Sequence, residues 1–170
     1  MVTSELWCTN RANISRPLPI SLSNTVIHII AVLLCGLVLS GCQNYPLPQG
    51  ELTGCGPTLR LDIVSTPELR QQGLMEVQSL PDQYGMLFVF PEDGQYEFWM
   101  HDTPHALDVV FIRQDGTITQ IEAMIPYTDT RHPSRYMVRY ALETSQGWMA
   151  NHGVKVGDKC TLTLPHLEVK

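Results

Sequence analysis

The chain has 170 residues, of which 44% are hydrophobic and 16% charged, which is enough for one ordinary domain and too little for a large multidomain protein. Its 17 acidic residues outnumber its 11 basic ones and give a formal net charge of −6, so electrostatics does not favour contact with a phosphate backbone. We therefore expect no nucleic acid among its partners.

The first segment of the chain has the parts of an export signal. Arg11 and Arg16 precede an uncharged apolar run over residues 26–39, and small residues follow this run. This order is typical of a secretory signal. A membrane-spanning helix needs about 20 apolar residues, and the run is shorter. We expect residues 1–41 to be a signal peptide that is removed.

The end of this signal reads Leu39-Ser-Gly-Cys42 and resembles the lipobox of bacterial lipoproteins. The resemblance implies that Cys42 becomes the lipidated first residue of the mature chain and can be labelled with palmitate. The alternative is an ordinary thiol after an ordinary signal or after a short anchor helix. Gln43 follows, and in Gram-negative lipoproteins a residue other than Asp here implies sorting to the outer membrane. The expected location is the cell envelope, with the lipid in the membrane and the domain facing the periplasm.

The remaining chain is acidic and carries two further cysteines. Without residues 1–41 it has 9 basic and 16 acidic residues and a net charge of −7. Its Pro- and Gly-rich start predicts a flexible tether over residues 42–56, followed by a domain over 57–165 and a tail over 166–170. In an oxidising compartment Cys55 and Cys160 are expected to form a disulfide, with two free thiols as the alternative.

The hydrophobic pattern of the domain favours strands. Alternating or continuous apolar stretches between turn residues predict six or seven strands, over residues 59–63, 85–90, 95–100, 107–113, 117–125, 135–143 and 159–164. Asp115-Gly116 predicts a hairpin turn, and the apolar phase slips between Ile118 and Ile121, as at a bulge. Residues 66–73 and 145–152 predict short helices. The expected fold is mainly β, a single small sandwich or open barrel with one or two short helices.

Six sequence blocks follow one another in a distinctive order. They are Gly73-Leu-Met75, Gly85-Met-Leu-Phe88, Phe98-Trp-Met-His-Asp-Thr103, Leu107-Asp108 with Phe111, Leu142-Glu143 with Gly147, and Gly157-Asp158. Over about residues 57–164 they resemble domain-of-unknown-function family 192, small bacterial and archaeal proteins that often follow an export signal. The resemblance implies a β-rich, sandwich-like domain and no assigned activity. The family usually has Lys-Asn where this chain has His101-Asp102.

Polar and aromatic residues of these blocks are the candidates for a ligand site. The candidates are Trp99, His101, Asp102, Thr103 and Asp108, with Glu143 adjoining them. The indole would supply a stacking face, and the polar groups would hold an envelope glycan, peptide or protein. The expected role is binding or structural, without cofactor or catalytic residue. As alternatives, the aromatic residues belong to the core, Asp108 accepts backbone N–H groups, and Glu143 pairs with Arg139 or Arg135.

Two metal hypotheses remain open at this stage. A divalent ion on His101, Asp102 and His105 could activate water, as in a metal-assisted hydrolase of an envelope polymer, although these residues lack a typical metal-binding spacing. A periplasmic copper site is the other, because thioethers are soft ligands. Its candidates are Met75, Met86 and Met100, which could equally fill gaps in the core. The preferred expectation is no metal, and no nucleophile motif supports an enzyme.

Overall fold

The structure is a computed structural model that describes residues 47–170. The predicted signal peptide, Cys42 and the first residues of the predicted tether lie outside the described residues. Residues 47–170 form one unit with its own core. Within this unit, neither helix has the length and apolar character needed to cross a bilayer.

Nine strands and two short helices make up the described residues. They are β1 (Gln49–Thr53), β2 (Leu59–Val64), α1 (Pro67–Gln72), β3 (Tyr84–Gly94), β4 (Glu97–Phe98), β5 (Leu107–Ile112), β6 (Ile118–Met124), β7 (His132–Pro133), β8 (Val138–Ser145), α2 (Trp148–Asn151) and β9 (Thr161–Thr163). Seven strands form one sheet in the order β6-β5-β8-β3-β2-β1-β9, and β4 pairs with β7. Only β2 and β3 run parallel in this described sheet. The prediction of a mainly β fold with short helices is confirmed.

Each face of the large sheet carries its own apolar cluster, because successive side chains of a strand point to opposite faces. On β8, Leu142 belongs to one cluster and Ala141 to the other. The sequence after β8 places α2 over the Leu142 face, where Trp148 packs. The crossover that joins parallel β2 to β3 contains α1. Leu74, which comes directly after the C-cap Gly73, packs on the Ala141 face.

The two edges of the sheet approach each other near the expected disulfide. Cys55 and Cys160 are bonded, with their Cα atoms 4.9 Å apart. The Cys160 N–H donates to the Gly116 carbonyl, and Thr117 bridges to Lys159. Glycine is required at 116, because φ is +86° and a Cβ would lie 2.0 Å from the Cys160 carbonyl oxygen. The sheet is thus an open one whose edge strands β6 and β9 are tied together at one end.

Both ends of the unit are ordered where the sequence predicts a tether and a tail. Strand β1 lies inside the predicted tether 42–56 and pairs with β2 and β9. Its Leu52 is 1% exposed, so burial holds this Gly-flanked segment in the sheet. At the other end, the Lys170 N–H and carbonyl bond to Ser65 and Arg70, respectively. The sheet therefore begins before residue 57, and residues 166–170 dock on it.

The region around Pro91 also differs from the prediction of two strands joined by a turn over residues 91–94. Strand β3 continues through these residues to Gly94, with a register irregularity after Val89. Strand β4 pairs with β7 instead, with Phe98 opposite His132. The regular hydrogen-bond ladder is interrupted at this irregularity. Pro91, which has no N–H to donate to the ladder, is therefore tolerated there.

Candidate functional site

A cavity of about 550 Å³ opens on the Ala141 face of the sheet. Helix α1 and the residues after it form one wall, the outer half of β3 a second, and the segment around β4 a third. The described residues that line it are Pro67, Arg70, Gln71, Gln72, Gly73, Leu74, Met75, Phe88, Phe90, Pro91, Glu92, Tyr96, Glu97, Phe98, Trp99, Thr103, Arg131 and Glu143. Its volume lies in the range of small-molecule sites.

Helix α1 is fixed against the sheet by its caps and by one arginine. Thr66 accepts the Leu69 N–H as the N-cap, Pro67 occupies the first turn, and Gly73 ends the helix with φ at +46°. The Arg70 guanidinium donates to the carbonyls of Ser65 at 2.7 Å, Val89 at 3.0 Å and Lys170 at 2.8 Å. Arg70 thus ties the helix to the sheet and the C-terminus through three hydrogen bonds to backbone carbonyls.

Glu143 is the most buried ionisable group of the cavity. It lies on the interior strand β8, between Met86 of β3 and Val109 of β5, and is 4% exposed. Within residues 47–170 its carboxyl group makes no hydrogen bond or ion pair with the protein. Burial alone raises the pKa of Glu143 to about 8. An unpartnered buried carboxyl group that faces a cavity is typical of a functional site rather than of a stabilising contact.

Aromatic rings surround the space above Glu143. Phe90 stacks on Tyr96 with centroids 3.5 Å apart, and Phe88 meets Phe98 edge to face at 4.8 Å. The Tyr96 hydroxyl donates to a backbone carbonyl at 2.8 Å. Trp99, at the rim, is partly exposed. The walls therefore offer apolar and aromatic surface, and the most buried polar group among them is the carboxyl group of Glu143.

The β4–β7 ladder places Arg131 beside Trp99. Since Phe98 pairs with His132, the next positions along the two strands are Trp99 and Arg131. The guanidinium lies 3.7 Å from the centroid of the indole ring, a cation–π distance. Among the described residues, Arg131 has no carboxylate partner and no hydrogen bond from its side chain.

Of the other predicted site residues near Trp99 in the chain, only Thr103 lines the cavity. The His101 ring stacks on the indole at 5.1 Å, and its Nδ1 bonds to Asp129 at 2.8 Å. Asp102 is exposed and adopts φ at +50°, a left-handed conformation that Asn and Asp tolerate better than most residues. Thr103, 4% exposed, lines the cavity while its hydroxyl donates to the His101 carbonyl at 3.1 Å. Trp99 and Thr103 thus share the cavity with Glu143, whereas His101 and Asp102 do not line it.

Asp108 lies on the opposite face of the sheet from Glu143. Along β5 it shares parity with Val110, which belongs to the Leu142 cluster. Its carboxylate accepts the Gly147 N–H at 2.8 Å, where the chain enters α2. Burial raises the pKa of Asp108. The structure therefore separates Asp108 from the other candidates and gives it the backbone-binding role named as an alternative.

Of the residues proposed for a divalent ion, His101 Nε2 and Asp102 Oδ2 lie 3.5 Å apart, but His105 does not join them. His105 donates from Nδ1 to the Val77 carbonyl at 2.9 Å, away from the exposed His101–Asp129 contact. Across residues 47–170, no three His, Cys, Asp or Glu side chains are grouped as a metal site. Of the three methionines, Met86 and Met100 are at most 1% exposed in the apolar cluster and only Met75 lines the cavity. These positions favour core packing for Met86 and Met100.

The family's sequence profile matches residues 51–162, which is well over half of the chain. The chain belongs to the DUF192 family. That family is described as "Uncharacterized ACR", so membership brings no activity. No functionally curated protein matches the chain.

Two solved structures resemble this DUF192 domain. One, from Sinorhizobium meliloti 1021, is named as a candidate transcription regulator; it is 35% identical, with a TM-score of 0.61, and the match covers 67% of this chain and 92% of that one. The other is a protein of unknown function from Novosphingobium aromaticivorans DSM 12444. It is 28% identical, with a TM-score of 0.61, and the match covers 66% of this chain and 83% of that one.

Several cavity residues of this DUF192 protein are absent from the sequence-based candidates. Arg70 and Arg131 are the main ones, together with the glutamines of α1. The block Gly73-Leu-Met75 pointed to the α1 end of the cavity, because only a glycine fits there easily: a Cβ at Gly73 would lie 3.2 Å from the Phe88 ring. No local signal marks Arg131, whose position depends on pairing between β4 and β7.

Proposed function

We propose that this DUF192 protein is an envelope lipoprotein, anchored through a lipid on Cys42 and facing the periplasm, whose domain binds a small ligand in the Glu143 cavity. The observation that carries the binding role is the carboxyl group of Glu143, 4% exposed and without a protein partner among residues 47–170, at a cavity of about 550 Å³. Leaving such a group unpaired costs stability, and a ligand that pairs with it offsets that cost.

Binding is proposed rather than catalysis because the cavity lacks the second group that most acid–base or nucleophilic mechanisms require. Glycoside hydrolysis, for example, uses two carboxyl groups held about 5–9 Å apart around the bond. The other carboxylates of the cavity, Glu92 and Glu97, are exposed residues. The metal-assisted hydrolase lacks a group of three ligands in the described residues.

A DNA-binding role, which the name of the Sinorhizobium relative suggests for that protein, is not proposed here. The chain without residues 1–41 has 9 basic and 16 acidic residues, which opposes binding to phosphates. The proposed partners are the membrane, through the lipid, and a small envelope molecule.

The anchor is tested by metabolic labelling with palmitate in the source bacterium or a Gram-negative host. The wild-type chain should be labelled and recovered with outer membranes. Cys42→Ser should abolish labelling and leave an uncleaved precursor, whereas Cys35→Ser, which changes another cysteine of the export segment, should not. Labelling that persists in Cys42→Ser contradicts the lipoprotein assignment.

Binding is tested by native mass spectrometry of the purified protein after incubation with a small-molecule extract of the envelope. We expect a bound molecule that is lost in Gln71→Trp, since Gln71 is an exposed helix residue that lines the cavity and a larger side chain there obstructs it. Gln78→Trp, at an exposed position outside the cavity lining, is the matched control. Equal binding by both variants contradicts the cavity as the site.

A further inference from the structure

We infer that the ligand of the Glu143 cavity is a small organic cation, a protonated amine with an apolar or aromatic body, whose ammonium group pairs with the Glu143 carboxylate. This inference rests on the proposed binding function and adds the chemical class of the ligand.

The first argument is the position of the carboxyl group. Glu143 is 4% exposed, and neither of its sheet neighbours on the same face, Met86 and Val109, can donate a hydrogen bond to it. A buried charge is stable only when it is paired. A cationic ligand supplies the opposite charge and the hydrogen-bond donors that the protein leaves out.

The second argument is the aromatic surface of the cavity. Aromatic rings attract cations through the negative electrostatic potential of their faces, and cages of such rings are a known way to bind ammonium groups. Rings in this cavity already accept cations from the protein itself. Arg70 lies 5.3 Å from the Phe90 centroid, and Arg131 lies 3.7 Å from that of Trp99.

The third argument is the balance of charge around Glu143. The charged groups that line the cavity with it are Arg70 of α1, Glu92 of β3, Glu97 of β4 and Arg131 before β7. Tyr96 is the remaining titratable group of the lining. None of these groups contributes to the raised pKa of Glu143, which is due to burial, so within the described residues no cation already compensates the carboxylate.

The two guanidinium groups do not make the cavity an anion site. Arg70 donates to three carbonyls, and Arg131 lies on the partly exposed Trp99. Neither guanidinium lowers the pKa of Glu143, so the buried end offers a carboxyl group without a cationic neighbour, while the net charge of −7 on the chain from Cys42 attracts cationic ligands.

The inference is tested with three probes that share one aromatic body and differ in the polar group: 2-phenylethylamine, 2-phenylethanol and phenylacetate. Each is titrated calorimetrically into the full chain in mild detergent. The amine should bind most tightly. Its affinity should rise about 50-fold between pH 6 and pH 8, because Glu143 must lose its proton to pair and its pKa is about 8. Below pH 7, binding should release close to one proton, measured in buffers of different ionisation enthalpy.

Two variants separate a ligand contact from a general effect on the fold. Glu143→Gln keeps the shape but cannot ionise, so the amine should bind no better than the alcohol and without proton release. Asp108→Asn neutralises a buried carboxylate on the opposite face and should leave the amine titration unchanged.

The inference would be overturned by phenylacetate or the alcohol binding more tightly than the amine, by amine affinity that falls as the pH rises, or by unchanged amine binding in Glu143→Gln. No binding of the amine at millimolar concentration also overturns it. A cavity ligand found by native mass spectrometry still supports the proposed function in each of these cases, so the two failures can be told apart.

Discussion

Replacement of Glu143 by glutamine should stabilise the protein, and the gain should grow with pH. Burial raises the pKa of Glu143 from its ordinary value of 4.5 to about 8. Between these values the folded state holds a proton that the unfolded state has released. Stability therefore falls as the pH rises through this window, in contrast to that of a protein with a salt-bridged carboxylate. Below pH 4.5 the carboxyl group is protonated in both the folded and the unfolded state. There the stability of the wild type is not reduced by the ionisation of Glu143.

The size of the effect follows from the two pKa values. Each pH unit within the window corresponds to about 1.4 kcal/mol, so from pH 5 to pH 8 the wild type should lose roughly 3–4 kcal/mol relative to Glu143→Gln. The side chain is 4% exposed, so solvent screening reduces this figure little.

Urea unfolding of the purified protein at several pH values, followed by tryptophan fluorescence, measures this difference. Glu97→Gln is the control, because it removes a carboxylate from the same cavity at an exposed position. We expect its unfolding free energy to follow the wild-type profile. Parallel profiles for wild type and Glu143→Gln would refute the reasoning, because Glu143 would then have the same proton affinity in both states.

The remaining predictions concern the framework of the domain. Loss of the Cys55–Cys160 disulfide, which spans 105 residues, should lower the unfolding free energy by about 4–5 kcal/mol in urea titrations. Gly116→Ala should cost more than about 2 kcal/mol by the same assay, whereas Gly153→Ala, with φ at +73° but no atom within 4 Å, should cost only about 1 kcal/mol. Arg70→Met should cost about 2 kcal/mol, because three backbone carbonyls lose a charged donor.

Each of these predictions has a contradicting result. A reduced protein as stable as the oxidised one would show that the disulfide does not restrict the unfolded chain. Equal costs for the two glycine substitutions would show that contact with the Cys160 carbonyl is unimportant. An Arg70→Met variant with unchanged stability would mean that water replaces the three hydrogen bonds without loss.

Much of the fold could be predicted because its signals are local. The alternation of Leu59 and Leu61 marks β2, and Asp115-Gly116 forms the turn between β5 and β6. The register of that pair shifts by one residue at Thr119, inside the stretch where the apolar phase slips. Turn type and the alternation of side chains depend on residues that are adjacent in the sequence, so both can be predicted from it.

The parts of the fold that could not be predicted depend on distant pairing. Strand β1 has glycine and proline around it and little alternation, and its place in the sheet comes from β2 and β9. Likewise β4 pairs with β7, some 35 residues later in the chain, rather than with the adjacent β3. No local pattern encodes such a choice of partner.

The candidate site shows the same division. Trp99, Thr103 and Glu143 were named from the sequence and lie in one cavity. The alternation of side chains along β5 shows that Asp108 and Val109 point to opposite faces of the sheet. Only the register with β8 shows that Val109 is on the face of Glu143, and therefore that Asp108 is on the other face. Arg131 could not be named because its place beside Trp99 requires the β4–β7 pairing.

The central claim is that Glu143 is a buried carboxyl group without a partner among the described residues, and that a ligand pairs with it. Carbon-13 NMR of the side-chain carboxyl groups, with Glu143 assigned through Glu143→Gln, measures this directly in the ligand-free protein. The account predicts that the Glu143 resonance remains in its protonated position through neutral pH and titrates near pH 8. A titration near pH 4.5 would mean that water or a protein group already satisfies the carboxylate, and it would contradict the account.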